Sequence, residues 1–116
     1  MINRIEVQGT VGNCKLTAFE DRTSANFSVV TNYVYKNREG NGIVETMWFN
    51  VSAWEGKVAS AETLRRIERG ATVHVLGRLR EREFTGSDGN PRKVTEIVPS
   101  FVEVVDQFEK SVPAGV

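Results

Sequence analysis

The chain has 116 residues, 40% hydrophobic, 26% charged and 9% aromatic, the balance of one soluble globular domain. Its 15 Lys and Arg offset 15 Asp and Glu, so the bulk charge lacks the positive excess of a strongly basic nucleic-acid binder. A single cysteine, Cys14, and a single histidine, His74, exclude an internal disulfide and a Cys/His zinc centre, and no run approaches the roughly 18 apolar residues of a membrane-spanning helix.

The opening Met1-Ile2-Asn3-Arg4-Ile5 has no apolar secretory stretch, so a cytoplasmic protein is expected. From Asn3 to Val11, Ile5, Val7, Gly9 and Val11 alternate with Arg4, Glu6, Gln8 and Thr10, the period of a half-buried strand in which Gly9 marks a bulge or tight bend. Ala25 to Tyr35 is rich in β-branched and aromatic residues and forms the second strand. The polar stretch Lys36 to Gly42 reads as a mobile hairpin tip, and the third strand runs from Thr46 to Trp54. Between Gly56 and Gly70 the spacing of Val58, Ala61, Leu64 and Ile67 predicts the one helix, with Gly70 as its C-terminal stop. Thr72 to Phe84 returns to alternation. Strand material resumes over Arg92 to Val98 and Phe101 to Val105, broken by Pro99. Three strands, a helix and two strands is the element order of the OB-fold, an all-β, five-stranded Greek-key barrel with one α-helix between strands 3 and 4. Residues 1–106 are expected to form this domain, and 107–116 a short disordered tail.

On the third strand Trp48, Asn50, Ser52 and Trp54 share one face while Phe49, Val51 and Ala53 supply the core on the other. Two indoles on the polar side are poorly explained as core. They suit an outer face that stacks unpaired bases, with cations interleaved for phosphates. Arg78, Arg80, Arg82 and Phe84 share one parity of strand 4 and extend that pattern, while Tyr35, Lys36, Arg38 and Lys93 flank it in and beside the loops. Arg65, Arg66 and Arg69 read instead as a solvated helix face or helix-dipole partners. Cys14 and His74 lie in strand-like sequence without a nucleophile motif, so neither is expected to be catalytic.

The runs Asn3-Arg4-Ile5-Glu6-Val7-Gln8-Gly9-Thr10-Val11-Gly12, Ala25-Asn26-Phe27-Ser28-Val29-Val30-Thr31, Trp48-Phe49-Asn50-Val51, Trp54-Glu55-Gly56-Lys57 and Gly70-Ala71-Thr72-Val73-His74-Val75-Leu76-Gly77-Arg78-Leu79, with the Asp88-Gly89 turn, resemble the bacterial single-stranded DNA-binding protein family. The similarity covers roughly residues 2 to 105. It implies an OB-fold that binds single-stranded DNA without sequence preference, acts in replication, recombination and repair near the nucleoid, needs no cofactor, and assembles as a homotetramer, with a dimer as the alternative. The family's stacking aromatics fall on Tyr35, Trp48, Trp54 and Phe84. Tyr35 and Phe84 replace a tryptophan common in the family, and Phe49 replaces a histidine at a subunit contact. The family's acidic-tipped tail has no counterpart in Glu109 to Val116, so tail-mediated recruitment of repair proteins is not expected. Two rival readings are an OB-fold replication-restart or assembly subunit acting mainly through protein contacts and a small nuclease, the latter lacking a carboxylate cluster for metal ions.

The neutral total divides unevenly along the chain. Residues 1–56 carry five basic and six acidic groups, 57–93 nine and five, and 94–116 one and four.

Overall fold

A computed structural model describes residues 1–105. The strands are β1 (Ile5–Ala18), β2 (Thr23–Lys36), β3 (Gly42–Trp54), β4 (Thr72–Thr85) and β5 (Pro91–Val105), with α1 (Ala61–Arg65) between β3 and β4. They close into one barrel in the order β1-β2-β3-β5-β4, the expected OB-fold. The expected tail at 107–116 lies outside the described residues. No helix among the described residues is long and apolar enough to cross a membrane.

The alternation read from the sequence is what closes the sheet. Val11, Phe27, Val29, Val51, Ala53, Val73, Val75, Ile97 and Val102 point inward and are buried, as period-two strands curling round one core require. β1 serves two neighbours: Ile5 to Thr10 pair with Gly77 to Thr72 of β4, and Thr10 to Ala18 pair with Val30 to Thr23 of β2. A bulge between Val11 and Cys14 bends the strand from one partner to the other, so β1 runs on to Ala18 rather than ending at Val11. Gly9 is not the bulge. It is a close approach, where a Cβ would overlap the Val30 carbonyl of β2.

The helix, Ala61–Arg65, is shorter than the apolar spacing from Val58 to Ile67 predicts. Gly56 takes φ +138° and Ala59 pairs with Glu55 in an isolated bridge, which holds 55–59 in extended structure. The helix starts only where the Ser60 hydroxyl accepts from the Thr63 N–H at 3.1 Å. It ends in tight i to i−3 bonds at Arg66 and Ile67. Gly70 is not its stop, since the Gly70 N–H donates to the Val11 carbonyl of β1 at 2.9 Å. Leu64 and Ile67 do what their spacing foretold and bury fully in the core, each contributing about 1.5–3 kcal/mol. With one turn of helix, Arg65, Arg66 and Arg69 share no helix face. They line a concavity at the barrel end beside Val104 and Val105.

β5 is continuous through Pro99. The β4–β5 register shifts between Leu76 and Gly77, so Ser100 is the extra residue and its hydroxyl bonds the Leu76 carbonyl at 3.1 Å. The bulge accommodates the missing proline N–H.

Candidate nucleic-acid interface

Register lays out the barrel's outer face row by row. Ser28 of β2 stands beside Asn50 of β3, Asn50 beside Glu96 of β5, and Glu96 beside Arg80 of β4, one transverse line across four strands. A second row runs Lys15, Asn26, Ser52 over β1, β2 and β3. Trp48 and Trp54 stand at the two ends of the Asn50–Ser52 segment, about 20 Å apart along the strand. They are 59% and 39% exposed, while Val51 and Ala53 on the reverse face are sealed. Asn13, Asn26, Ser28, Asn50, Ser52, Arg82 and Glu96 line a shallow groove between them.

Two cations at the centre of this face, Arg80 and Arg82, are tethered. Glu96 is buried, and its Oε1 accepts from both the Arg80 guanidinium and the Arg82 Nε, the latter at 3.1 Å. Burial pushes the Glu96 carboxyl up, but the hydrogen bonds from Arg80 and Arg82 outweigh it and hold the group below its usual range. One carboxylate shared by two guanidiniums leaves a net positive charge on the surface. The Arg82 guanidinium carbon also lies 5.9 Å from the Phe84 ring, a cation–π contact that joins the two residue types within one strand.

Arg78 shares the parity of Arg80, Arg82 and Phe84 but lies nearer the Asn3 end, where Asn3 brackets Leu79 with hydrogen bonds of 2.8 and 3.0 Å. Lys36 pairs with Gly42 and keeps Trp48's side of the β2–β3 ribbon. Arg38 is exposed at the tip, a turn organised by the Asn37 Oδ1, which accepts from the Glu39 and Asn41 N–H groups at 3.0 Å each.

Two predicted residues do not join the face. Tyr35 pairs with Ile43 and has the parity of Phe27 and Val29, so it stands on the reverse of the ribbon from Trp48. There its ring is 5.8 Å from Tyr33, and its hydroxyl donates to Glu45 at 3.2 Å, which raises its pKa. Lys93 pairs with Glu83, opposite in parity to Arg82 and Phe84, and its ammonium lies 3.5 Å from Glu81. The cation on the Phe84 side at that end is Arg92, which pairs with Phe84 and bonds Asp88 at 3.0 Å.

Sequence reasoning missed Lys15, Phe19 and Arg22. The Phe19 ring lies 5.3 Å from Trp54 and the Arg22 guanidinium carbon 4.5 Å over the same indole.

A protein-family model, described as the single-strand binding protein family, matches residues 2–105, nearly the whole described chain. The chain belongs to that family. A single-stranded DNA-binding protein from Xylella fastidiosa strain Temecula1 is 32% identical over 108 residues, covering 90% of this chain and 63% of the relative. A namesake from Neisseria meningitidis is 26% identical over 106 residues, covering 90% and 60%. The chain thus spans about three fifths of the length of these relatives. Among solved structures, a Plasmodium falciparum SSB complex with ssDNA superposes with a TM-score of 0.77 at 22% identity, covering 91% of this chain and 97% of that one. A Thermus aquaticus single-stranded DNA-binding protein gives 0.72 at 14% identity, covering 90% and 51%. At these identities the likeness carries the fold.

Proposed function

We propose that the chain binds single-stranded DNA without sequence preference and performs no chemical step of its own. The observation that carries this reading is the pairing, on one outer face, of exposed Trp48 and Trp54 with the Arg80–Glu96–Arg82 cluster. Indole faces stack any base, and guanidiniums follow phosphates whatever the sequence. Trp48, Trp54 and Phe84 take bases along this face, and Tyr35 takes one where the strand passes round the β2–β3 ribbon. Arg78, Arg80, Arg82, Lys36 and Arg38 hold the backbone, with Arg92 rather than Lys93 at the far end. Family membership supports a role in covering strands bared during replication, recombination and repair, in the cytoplasm at the nucleoid, by a homotetramer or dimer.

The test is intrinsic fluorescence during titration with oligo(dT). Both tryptophans of the chain lie on this face, so binding quenches the emission. Unchanged emission overturns the stacking assignment, and equal retention of duplex and single strand in a gel shift overturns the single-strand reading. Light scattering with and without the oligonucleotide reports the assembly.

A further inference from the structure

The turn between β1 and β2 is built against Trp54. The Phe19 N–H donates to the Arg22 carbonyl at 2.8 Å, closing four residues into a tight turn. Reciprocal bonds then fix its exit: the Thr23 N–H reaches Glu55 Oε1 at 2.9 Å, and the Glu55 N–H reaches the Thr23 carbonyl at 2.8 Å. Glu55 follows Trp54 directly, so the turn and the end of β3 are one unit, which brings Phe19 and Arg22 onto the indole.

Phe19 opens the turn, where polar residues are the rule, and as a large apolar ring it is 52% exposed. Trp54 already carries Arg22 over its ring and Phe19 beside it at a tilt of 34°, so part of its π surface is taken. The more open ring at this end belongs to Phe19. The charge of the tip favours a base over a phosphate: Glu20 and Asp21 are exposed carboxylates, and the one cation of the turn, Arg22, is held over Trp54. The nearest cation by register is Lys15, four positions back along β1 and on the Asn26–Ser52 side. A strand whose backbone runs past Lys15 turns its bases toward Phe19.

We propose that Phe19 is a further stacking platform for an unpaired nucleobase, held in place by its contact with Trp54, which remains a stacking ring of the outer face. This rests on the single-strand reading above and extends the interface round the end of the barrel, beyond the residues named there.

The experiment is fluorescence anisotropy of fluorescein-labelled oligo(dT) with the full chain, comparing wild type with Phe19→Leu, Phe19→Tyr, Trp54→Leu and the Phe19→Leu/Trp54→Leu double variant. Leucine keeps the apolar bulk but removes the ring. Phe19→Leu is expected to weaken binding about 5- to 150-fold, the range for one lost stacked base, while Phe19→Tyr stays within about 2-fold of wild type. The Phe19→Leu loss is expected to shrink in the Trp54→Leu background. Matching thermal midpoints show that the exposed turn tolerates the changes. A Phe19→Leu chain that binds as tightly as wild type, or more tightly, makes Phe19 a mere cover on Trp54 and overturns this proposal while leaving the single-strand reading intact. A wild-type chain that does not retain the oligonucleotide overturns both.

Discussion

Gly12 of β1 rests against the indole of Trp48, where a Cβ would fall 3.0 Å from the ring's Cη2 and closer still to its Cζ3. The ring is supported by bare backbone at the β1 bulge and keeps 59% of its surface open. Gly12→Ala is therefore expected to tip Trp48 out of place. Oligo(dT) affinity should fall by about 10-fold, within the energy of one stacked base, and the amplitude of fluorescence quenching should shrink with it. An alanine variant that titrates like wild type rules out this support role.

Direct removal of the rings gives the larger effect. Trp48→Ala and Phe84→Ala are each expected to cost about 1–3 kcal/mol of binding energy, measured by anisotropy with labelled oligo(dT). The two residues stand on different strands with no contact between them, so their losses should add. Tyr35→Ala, on the reverse of the ribbon, should cost as much only with oligonucleotides long enough to pass round it. Equal losses with short and long strands would contradict that placement.

Glu96 restrains the cations that face the phosphates. Glu96→Gln is expected to free Arg80 and Arg82, tighten binding at low salt and steepen the slope of log affinity against log salt by about one unit. The same change should cost about 1 kcal/mol in a urea unfolding titration, because both guanidiniums are half exposed and water replaces much of what they lose. Since the folded carboxyl is held low, its stabilising contribution is present above the ordinary carboxylate range and disappears as pH falls through the lowered value. Glu96→Gln should lack that component of acid destabilisation.

The wild-type salt slope itself should be shallower than that of a strongly basic domain. Arg80 and Arg82 share Glu96, Arg92 holds Asp88, and Lys93 holds Glu81, so fewer cations stand ready to displace counterions. Titrations at several salt concentrations check this, and a slope as steep as a basic domain's would contradict it.

His74 lies on a different part of the barrel surface, its Nε2 2.6 Å from Glu6 and its Nδ1 3.3 Å from Glu103. The Glu6 hydrogen bond outweighs partial burial and, with Glu103, raises the imidazole pKa. A raised folded value means stabilisation that is complete below about 6.5, the unfolded value, and lost as pH rises through the folded one. Thermal midpoints measured from pH 5.5 to 8.5 should decline for wild type across that window. His74→Gln should flatten this part of the profile, and parallel profiles for the two chains would exclude the linkage.

Within single strands the sequence was a faithful guide: Trp48 and Trp54 are exposed over sealed Val51 and Ala53, and Arg80 and Arg82 share a face because alternation is a local property. Relations across a turn were harder. Whether Tyr35 shares Trp48's side depends on the register Tyr35 to Ile43, set by the Asn37 turn, and Lys93's side depends likewise on its pairing with Glu83. The overlong helix came from counting Val58 into the apolar spacing of Ala61, Leu64 and Ile67, although the Glu55–Ala59 bridge holds that segment extended. Phe19 and Arg22 gave no periodic signal, because their meaning lies in contact with Trp54, more than thirty residues away in the chain.

The barrel's closing seam is short. β3 and β5 meet in parallel over two residue pairs, Asn50 with Glu96 and Val51 with Ile97, whereas β2 and β3 pair without interruption from Ser24–Trp54 to Lys36–Gly42. With so few pairs this seam is expected to open before the longer ladders, and it lies under the row that joins Asn50 to Arg80. A strand gripped on both sides of that line acts as a hoop round staves, lending its binding energy to the joint beneath it. The β5 amide that donates across this seam should then exchange faster in the bare protein than the amides of the β2–β3 ladder and slow once DNA is bound, so that occupancy can be read from inside the wall.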